Sequence, residues 1–288
     1  MLGGGHGDPA WLEMELDKLA GCALPFCVGF ITWSMARQPH LLDMALAAKP
    51  SAIWLSFGDP APFAEKARDA GCEVICLVQD VAGARDAVTK VASIVMAQGT
   101  EAGRHGAARG LFALLPAVVD AVGDSAVVLA SGGVADGRGL AAAMMLGAQG
   151  VVLGTRFYAS EEAAPHPAAK QRIVDATGDD TRRSIILDIS RRNVWPEPFT
   201  GRCLVNDHVK RWAGREVQLM QAMAEKGPRY ESAREAGDFD TAAVIAGEGA
   251  AMVKSVLPAG VILRDMVEQA GALLAGGQGS FPQGKGAP

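Results

Sequence analysis

Three short stretches combine reactive side chains with backbone that a ligand can approach closely. The first runs from Gln98 to Gly110 and carries the amide of Gln98 and a lone imidazole, His105, among Gly99, Gly103, Gly106 and Gly110. A Gln side chain both donates and accepts, which suits the edge of a heteroaromatic ring such as a flavin pyrimidine. An imidazole can take a proton from carbon or steady an anion. The second stretch is Ser131-Gly132-Gly133 and the third is Gly154-Thr155. Each presents backbone N–H groups without side-chain obstruction beside a helix start, and Thr155 adds a hydroxyl. N–H donors together with a helix dipole form a phosphate site. Any one of these turns reads equally well as an ordinary tight connection; two on successive strands favour a phosphorylated ligand. No Ser-His-Asp pattern, metal-ligand triad or paired carboxylates stand out, so no metal is expected and a bound organic cofactor is the expected carrier of the chemistry.

The elements around these stretches follow a repeat of apolar strand, Gly-bearing turn and helix. Pro25–Ile31, Ala52–Gly58, Glu73–Val78, Ile94–Ala97, Ala126–Ala130 and Gly150–Leu153 are short apolar runs. Continuous apolar runs mean burial on both faces, hence parallel strands covered by helices. Asp8-Pro9 starts a helix, with Asp8 as N-cap and Pro9 in the first turn; Asp136 caps another. Six such units with short strands favour an α/β protein, a TIM (β/α) barrel, over an open doubly wound sheet. The three chemical stretches then fall at the C-terminal ends of successive strands, where barrels of this kind bind ligands and where phosphate sits after the last strands. Past Pro165 the regularity fails. Arg183–Ile189 is expected extended, and Val209–Glu225, Tyr230–Ala236, Thr241–Lys254 and Val261–Leu274 helical. The expected organisation is a barrel core over 1–164, a helix-rich cap plus closing barrel helix over 165–274, and a flexible Gly/Pro-rich tail over 275–288.

Bulk properties narrow the class. The 288 residues are 49% hydrophobic and 20% charged, with a net charge of −5. That is a globular chain without the basic footprint of a nucleic-acid or anionic-membrane binder. No apolar stretch reads as a signal peptide or membrane span. The five cysteines have no C-x-x-C spacing; their odd count and apolar surroundings indicate reduced thiols and a cytoplasmic protein.

Ala97–Gly106, Ala130–Gly139 and Leu153–Phe157, in this order and spacing, resemble the active-site motifs of the nitronate monooxygenases. The likeness extends over about residues 1–215. The resemblance implies a TIM barrel with a small helical domain that binds FMN and oxidises alkyl nitronates or nitroalkanes with O2 to a carbonyl compound and nitrite. It implies that Gln98 and Gly103 contact FMN, that Gly132, Gly133, Val152, Leu153, Gly154 and Thr155 hold its phosphate, and that His105 is the active-site base. The sequence departs from the pattern in four places. A leading segment with the first barrel strand is expected to be lacking, with Met1-Leu2-Gly3 as its remainder. An Asn usual after the strand at Val28-Gly29 is not there. Arg104 and Val91 stand where Gly is usual. Two alternatives stay open: a flavin-dependent enoyl-ACP reductase-like enzyme on the same barrel, and a truncated, non-catalytic flavin-binding remnant. Homo-oligomerisation, and whether Trp195, Phe199 or His208 of the cap faces the site, also stay open.

Overall fold

The computed structural model describes residues 1–4, 7–193 and 195–276 of the chain; residues 277–288 of the expected tail lie outside them. In chain order the elements are β1 (Leu2–Gly3), α1 (Pro9–Asp17), β2 (Cys27–Ile31), α2 (Thr32–Met35), α3 (His40–Ala47), β3 (Ala52–Ser56), α4 (Ala61–Asp69), β4 (Glu73–Val78), α5 (Val81–Lys90) and β5 (Ile94–Gln98). Then follow β6 (Arg104–Gly106), α6 (Leu111–Val122), β7 (Val127–Ser131), α7 (Gly137–Met145), β8 (Gly150–Val152), α8 (Thr155–Tyr158) and α9 (Pro167–Asp175). The chain continues through β9 (Thr181–Ser184), α10 (Ile186–Ser190), β10 (Thr200–Leu204), α11 (Asp207–Trp212), α12 (Glu216–Glu235) and α13 (Ala259–Leu274). The main sheet has seven strands in the order β1-β2-β3-β4-β5-β7-β8, an α/β architecture of the TIM-barrel type. The strand expected to be lacking is represented by β1, whose Leu2 and Gly3 pair in parallel with Val28 and Gly29.

By internal packing the chain divides into two units. The first comprises residues 1–98, 112–130 and 147–149. Its strands β2 to β5 pair in parallel, and Val28, Ile53, Val95, Met96 and Ala97 are fully buried along them. Burial on both faces is what the continuous apolar runs require. Helix starts follow the capping chemistry: the Asp8 carboxylate accepts from Trp11 N, and Asp80 accepts from Gly83 N. Val91 closes α5 at φ −164°, outside the left-handed region that favours glycine.

The second unit comprises residues 99–111, 131–146 and 150–288. Asp136 caps α7 by accepting from Arg138 N and Gly139 N. Helices α7 and α13 meet at Gly137, where any Cβ would lie 2.6 Å from Met266 O, and Gly137 N donates to Gln269 Oε1. Three expectations are corrected in this unit. Arg183–Ile189 is not one extended run: β9 ends at Ser184 and α10 begins at Ile186. The β-branched residues favour a strand locally, but α10 buries Ile186, Leu187 and Ser190 together, and that packing overrides propensity. Thr241–Lys254 is mostly irregular, with only a short 3-10 turn at Glu248–Met252. Val209–Ala236 forms α11 and then α12, which runs unbroken through Pro228. A three-stranded antiparallel sheet, β6-β10-β9, forms here, and its β6 arises where the sequence reads as loop. No described helix is long and apolar enough to cross a membrane, and no described cluster of His, Cys, Asp and Glu could hold a metal ion.

Candidate active site

Nearly all the residues singled out from sequence lie in the second unit. The loop after β5 is tied down by its own backbone. Thr100 N donates to Arg109 O, Ala102 N to Gly99 O, and both carboxylate oxygens of Glu101 accept from Leu111 N at 2.9 and 3.0 Å. Leu111 opens α6, so the carboxylate also meets the positive end of that helix. Arg183 fixes the loop from outside. Its guanidinium donates to the carbonyls of Thr100 (2.8 Å), Ala102 (2.9 Å), Arg104 (3.2 Å) and Gly106 (3.3 Å), and to Thr200 O. Burial, helped by the neighbouring Arg202, pushes the Arg183 pKa down to about 10. Gly103 leaves no room for a side chain: a Cβ there would lie 2.8 Å from Ala246 C and 2.9 Å from Gly247 N.

His105 sits in the middle of β6, opposite Gly201 of β10. A Cβ at Gly201 would come 3.6 Å from His105 Nε2 and 3.3 Å from Leu187 Cδ2, so glycine leaves space for the ring. His105 is 8% exposed and Asp188, from α10, is 7% exposed. Their Nε2 and Oδ1 are 2.7 Å apart. The Trp195 ring stacks on the imidazole, with centroids 3.4 Å apart and planes 8° from parallel. Among the described residues Nδ1 has no hydrogen-bond partner and Asp188 Oδ2 has none either. The arrangement is a buried imidazole held by one nitrogen and covered on one face, with the other nitrogen unengaged. Trp195 is thus the cap residue that reaches His105. His208 instead bonds Ser190 Oγ at 2.8 Å and packs near Trp212 and Tyr230, with its pKa lowered by burial and by Arg211.

The two Gly-rich strand ends also have defined geometry. Gly132 and Gly133 adopt φ +102° and +73°, conformations that favour glycine. Val152 and Leu153 are half-buried and Gly154 is exposed. A Cβ at Gly154 would meet nothing within 4 Å, so the chain is open there. Gly154 leads into α8 and accepts from Tyr158 N at 2.8 Å; the N–H groups of Thr155, Arg156 and Phe157 precede that first helical bond. Thr155 Oγ1 accepts from Gly247 N at 2.9 Å, which leaves its own proton to donate. In the first unit, Gln98 is buried at the end of β5; its Oε1 accepts from Gln79 Nε2 at 2.9 Å, so its amide N–H groups remain to be donated.

Arg104 has φ +62°, in the left-handed region. Glycine adopts this conformation without the steric penalty that Arg104 carries. Sequence reading missed Asp188, and with it the Asp–His pair. The available signal was a single carboxylate inside the apolar run Ile185–Ile189, since a buried charge needs a partner.

Comparison with known proteins adds independent findings. The nitronate monooxygenase family model matches residues 31–269. The nitronate monooxygenase npaC of Metarhizium robertsii is 34% identical over 277 residues, covering 87% of this chain and 74% of that protein. Among solved structures, FabK of Thermotoga maritima superposes with a TM-score of 0.80 at 26% identity, covering 94% of this chain and 84% of FabK. A nitroalkane oxidase of Streptomyces ansochromogenes shares the fold with a TM-score of 0.81 at 22% identity, covering 96% of this chain and 89% of the other.

Proposed function

The chain belongs to the nitronate monooxygenase family, and we propose that it uses FMN and O2 to oxidise alkyl nitronates, and nitroalkanes after deprotonation, to carbonyl compound and nitrite. The observation that carries this reading is His105: a nine-tenths-buried imidazole with one nitrogen held by Asp188 and the other unengaged, on the Gly-rich loop at the end of β5. Such a group suits removal of a proton from a carbon acid. A neutral nitroalkane must lose its α-proton before it is a nitronate; a substrate that arrives as the nitronate needs no base.

The residues present fit a phosphorylated flavin. Gly154 is open where a side chain would stand, the N–H groups of Thr155 to Phe157 precede the first helical bond of α8, Thr155 keeps a proton to give, and Gly132 and Gly133 keep the preceding strand end bare. Gly132, Gly133, Val152, Leu153, Gly154 and Thr155 would hold the phosphate, and Gln98 and Gly103 would meet the ring system. Bound there, FMN supplies the electron transfer between substrate and O2. The five thiols are unpaired, which supports a reducing, cytoplasmic setting.

The likeness to FabK supports a second reading, a flavin-dependent reductase of enoyl thioesters. One set of measurements separates the two. The purified chain is expected to show the visible bands of oxidised FMN and to release nitrite from nitroethane nitronate, while NADH leaves the flavin oxidised. Rapid bleaching by NADH would favour the reductase. His105→Ala is expected to keep the flavin and lose on the order of 10²- to 10⁴-fold in turnover of neutral nitroethane. Unchanged turnover would remove the base role.

A further inference from the structure

We infer that Asp188 is a positioning residue that holds His105 in its Nε2–H tautomer, making Nδ1 the nitrogen that receives the substrate proton. The inference rests on the reading of His105 as the base.

The argument begins with the hydrogen bond. Asp188 Oδ1 lies 2.7 Å from His105 Nε2, and both residues are buried. An ionised carboxylate can only accept, so Nε2 must carry the hydrogen. A neutral imidazole has one N–H, so Nδ1 then bears the free lone pair. Among the described residues Oδ2 has no partner, so the bond to Nε2 is the carboxylate's one recorded side-chain contact. That raises the cost of losing it, because a buried charge left unpaired is penalised heavily. The same penalty resists a flip of the ring, which would bring a carbon against Oδ1. Trp195, stacked 3.4 Å from the ring centroid and within 8° of its plane, restricts tilting out of that plane. Gly201, facing His105 across the β6/β10 pair, keeps the Nε2 side free of a competing side chain.

In the step itself, the C–H bond of the nitroalkane breaks and its proton goes to Nδ1. The electron pair stays with the substrate and delocalises onto the nitro oxygens as the nitronate. The imidazolium so formed keeps its Nε2–H on Oδ1, now a charge-assisted bond to a carboxylate that never takes the proton. Asp188 therefore acts in two ways: it aims the basic nitrogen, and it stabilises the cation that forms.

The test reads the ring directly. In the full chain labelled with 15N-histidine, His105 is identified as the signal lost in His105→Gln, and long-range 1H–15N correlations are recorded above neutral pH. The expected pattern is a protonated Nε2 and an unprotonated Nδ1. An Nδ1–H tautomer in the unmutated protein overturns the inference, whatever the enzyme turns over. In Asp188→Asn, whose amide can either accept or donate, the pattern is expected to move toward a mixture of tautomers; a pattern that does not move overturns the inference too. The activity readout is a ratio. Asp188→Asn is expected to lower turnover of neutral nitroethane relative to its nitronate by roughly 10- to 100-fold, because only the neutral substrate needs the base. Equal loss on both substrates means a merely structural role and overturns it. Should Asp188→Asn fail to fold, the spectrum of the unmutated protein still decides. An unmutated protein that shows the Nε2–H tautomer but never consumes neutral nitroethane would sink the base role and leave the tautomer assignment standing.

Discussion

Substituting Gly247 by Ala tests the close packing that holds the His105 loop in place. Gly247 has φ −91° and ψ 177°, an extended conformation that Ala adopts freely, so any effect is steric. A Cβ there would lie 2.4 Å from Glu101 O and 2.7 Å from Gly103 N. Both are backbone atoms of the His105 loop and neither can swing aside. Relief requires the two segments to part, which breaks the Glu248 N to Glu101 O bond of 2.9 Å and strains the Gly247 N to Thr155 Oγ1 bond of 2.9 Å. Overpacking costs about 1–3 kcal/mol, and two weakened hydrogen bonds add about 0.5–1.5 kcal/mol each. The sum is roughly 2–6 kcal/mol, a fall in melting temperature of roughly 3–10 °C for a chain of this size. Gly271→Ala is the matched control. It lies inside α13 with nothing within 4 Å of a Cβ, so it is expected to stabilise by about 0.5–1 kcal/mol. Thermal denaturation of the two variants beside the parent protein is the assay. If Gly247→Ala melts at or above the parent, the backbone approach at Gly103 and Gly247 is not as described, and the account of how the loop is held fails with it.

The remaining expectations are simpler. Arg104→Gly relieves a left-handed residue, at φ +62°, whose penalty is about 1–2 kcal/mol; after subtracting the chain entropy that glycine loses on folding, a gain of about 0.5–1 kcal/mol in denaturant unfolding should remain. Burial pushes the thiols of Cys27 and Cys203 up to about 11 and that of Cys76 to about 12. The folded chain therefore keeps these protons after the unfolded chain has lost them, so stability is full below the ordinary thiol range and falls as pH rises through it toward 11 and 12. A denaturation series across alkaline pH that shows no such fall, beyond that from other groups, would count against their burial. Exposed Cys22 should be modified quickly by a thiol reagent in the native protein, while Cys72, Cys76 and Cys203 react only on unfolding.

Much of this was legible locally. Asp8 and Asp136 start helices where their side chains can reach the next free N–H groups. The apolar run at Glu73–Val78 is a strand with the same limits in the sequence and in the structure, and the run Ile94–Ala97 is a strand that extends by one residue to Gln98. The Gly-rich strand ends stood out because backbone N–H groups and helix starts recur there together. What failed were segments whose local preference is weak or contrary. Ile185–Ile189 has strand-like residues but packs as a helix, and Thr200–Leu204 pairs only because β6 and β9 come to lie on either side of it.

The sequence by itself determined the parallel strand framework and the Gly-rich loops at the C-terminal ends of its strands, and it singled out His105 on one of those loops. These depend on periodicity, capping and turn chemistry, which act between residues close along the chain. Only the tertiary structure decided what surrounds His105. Asp188 is 83 residues away in sequence and meets the ring because β6, β10 and α10 pack together. No local pattern encodes such a contact. It is selected by burial, since a carboxylate and an imidazole removed from water are stable only when they satisfy each other.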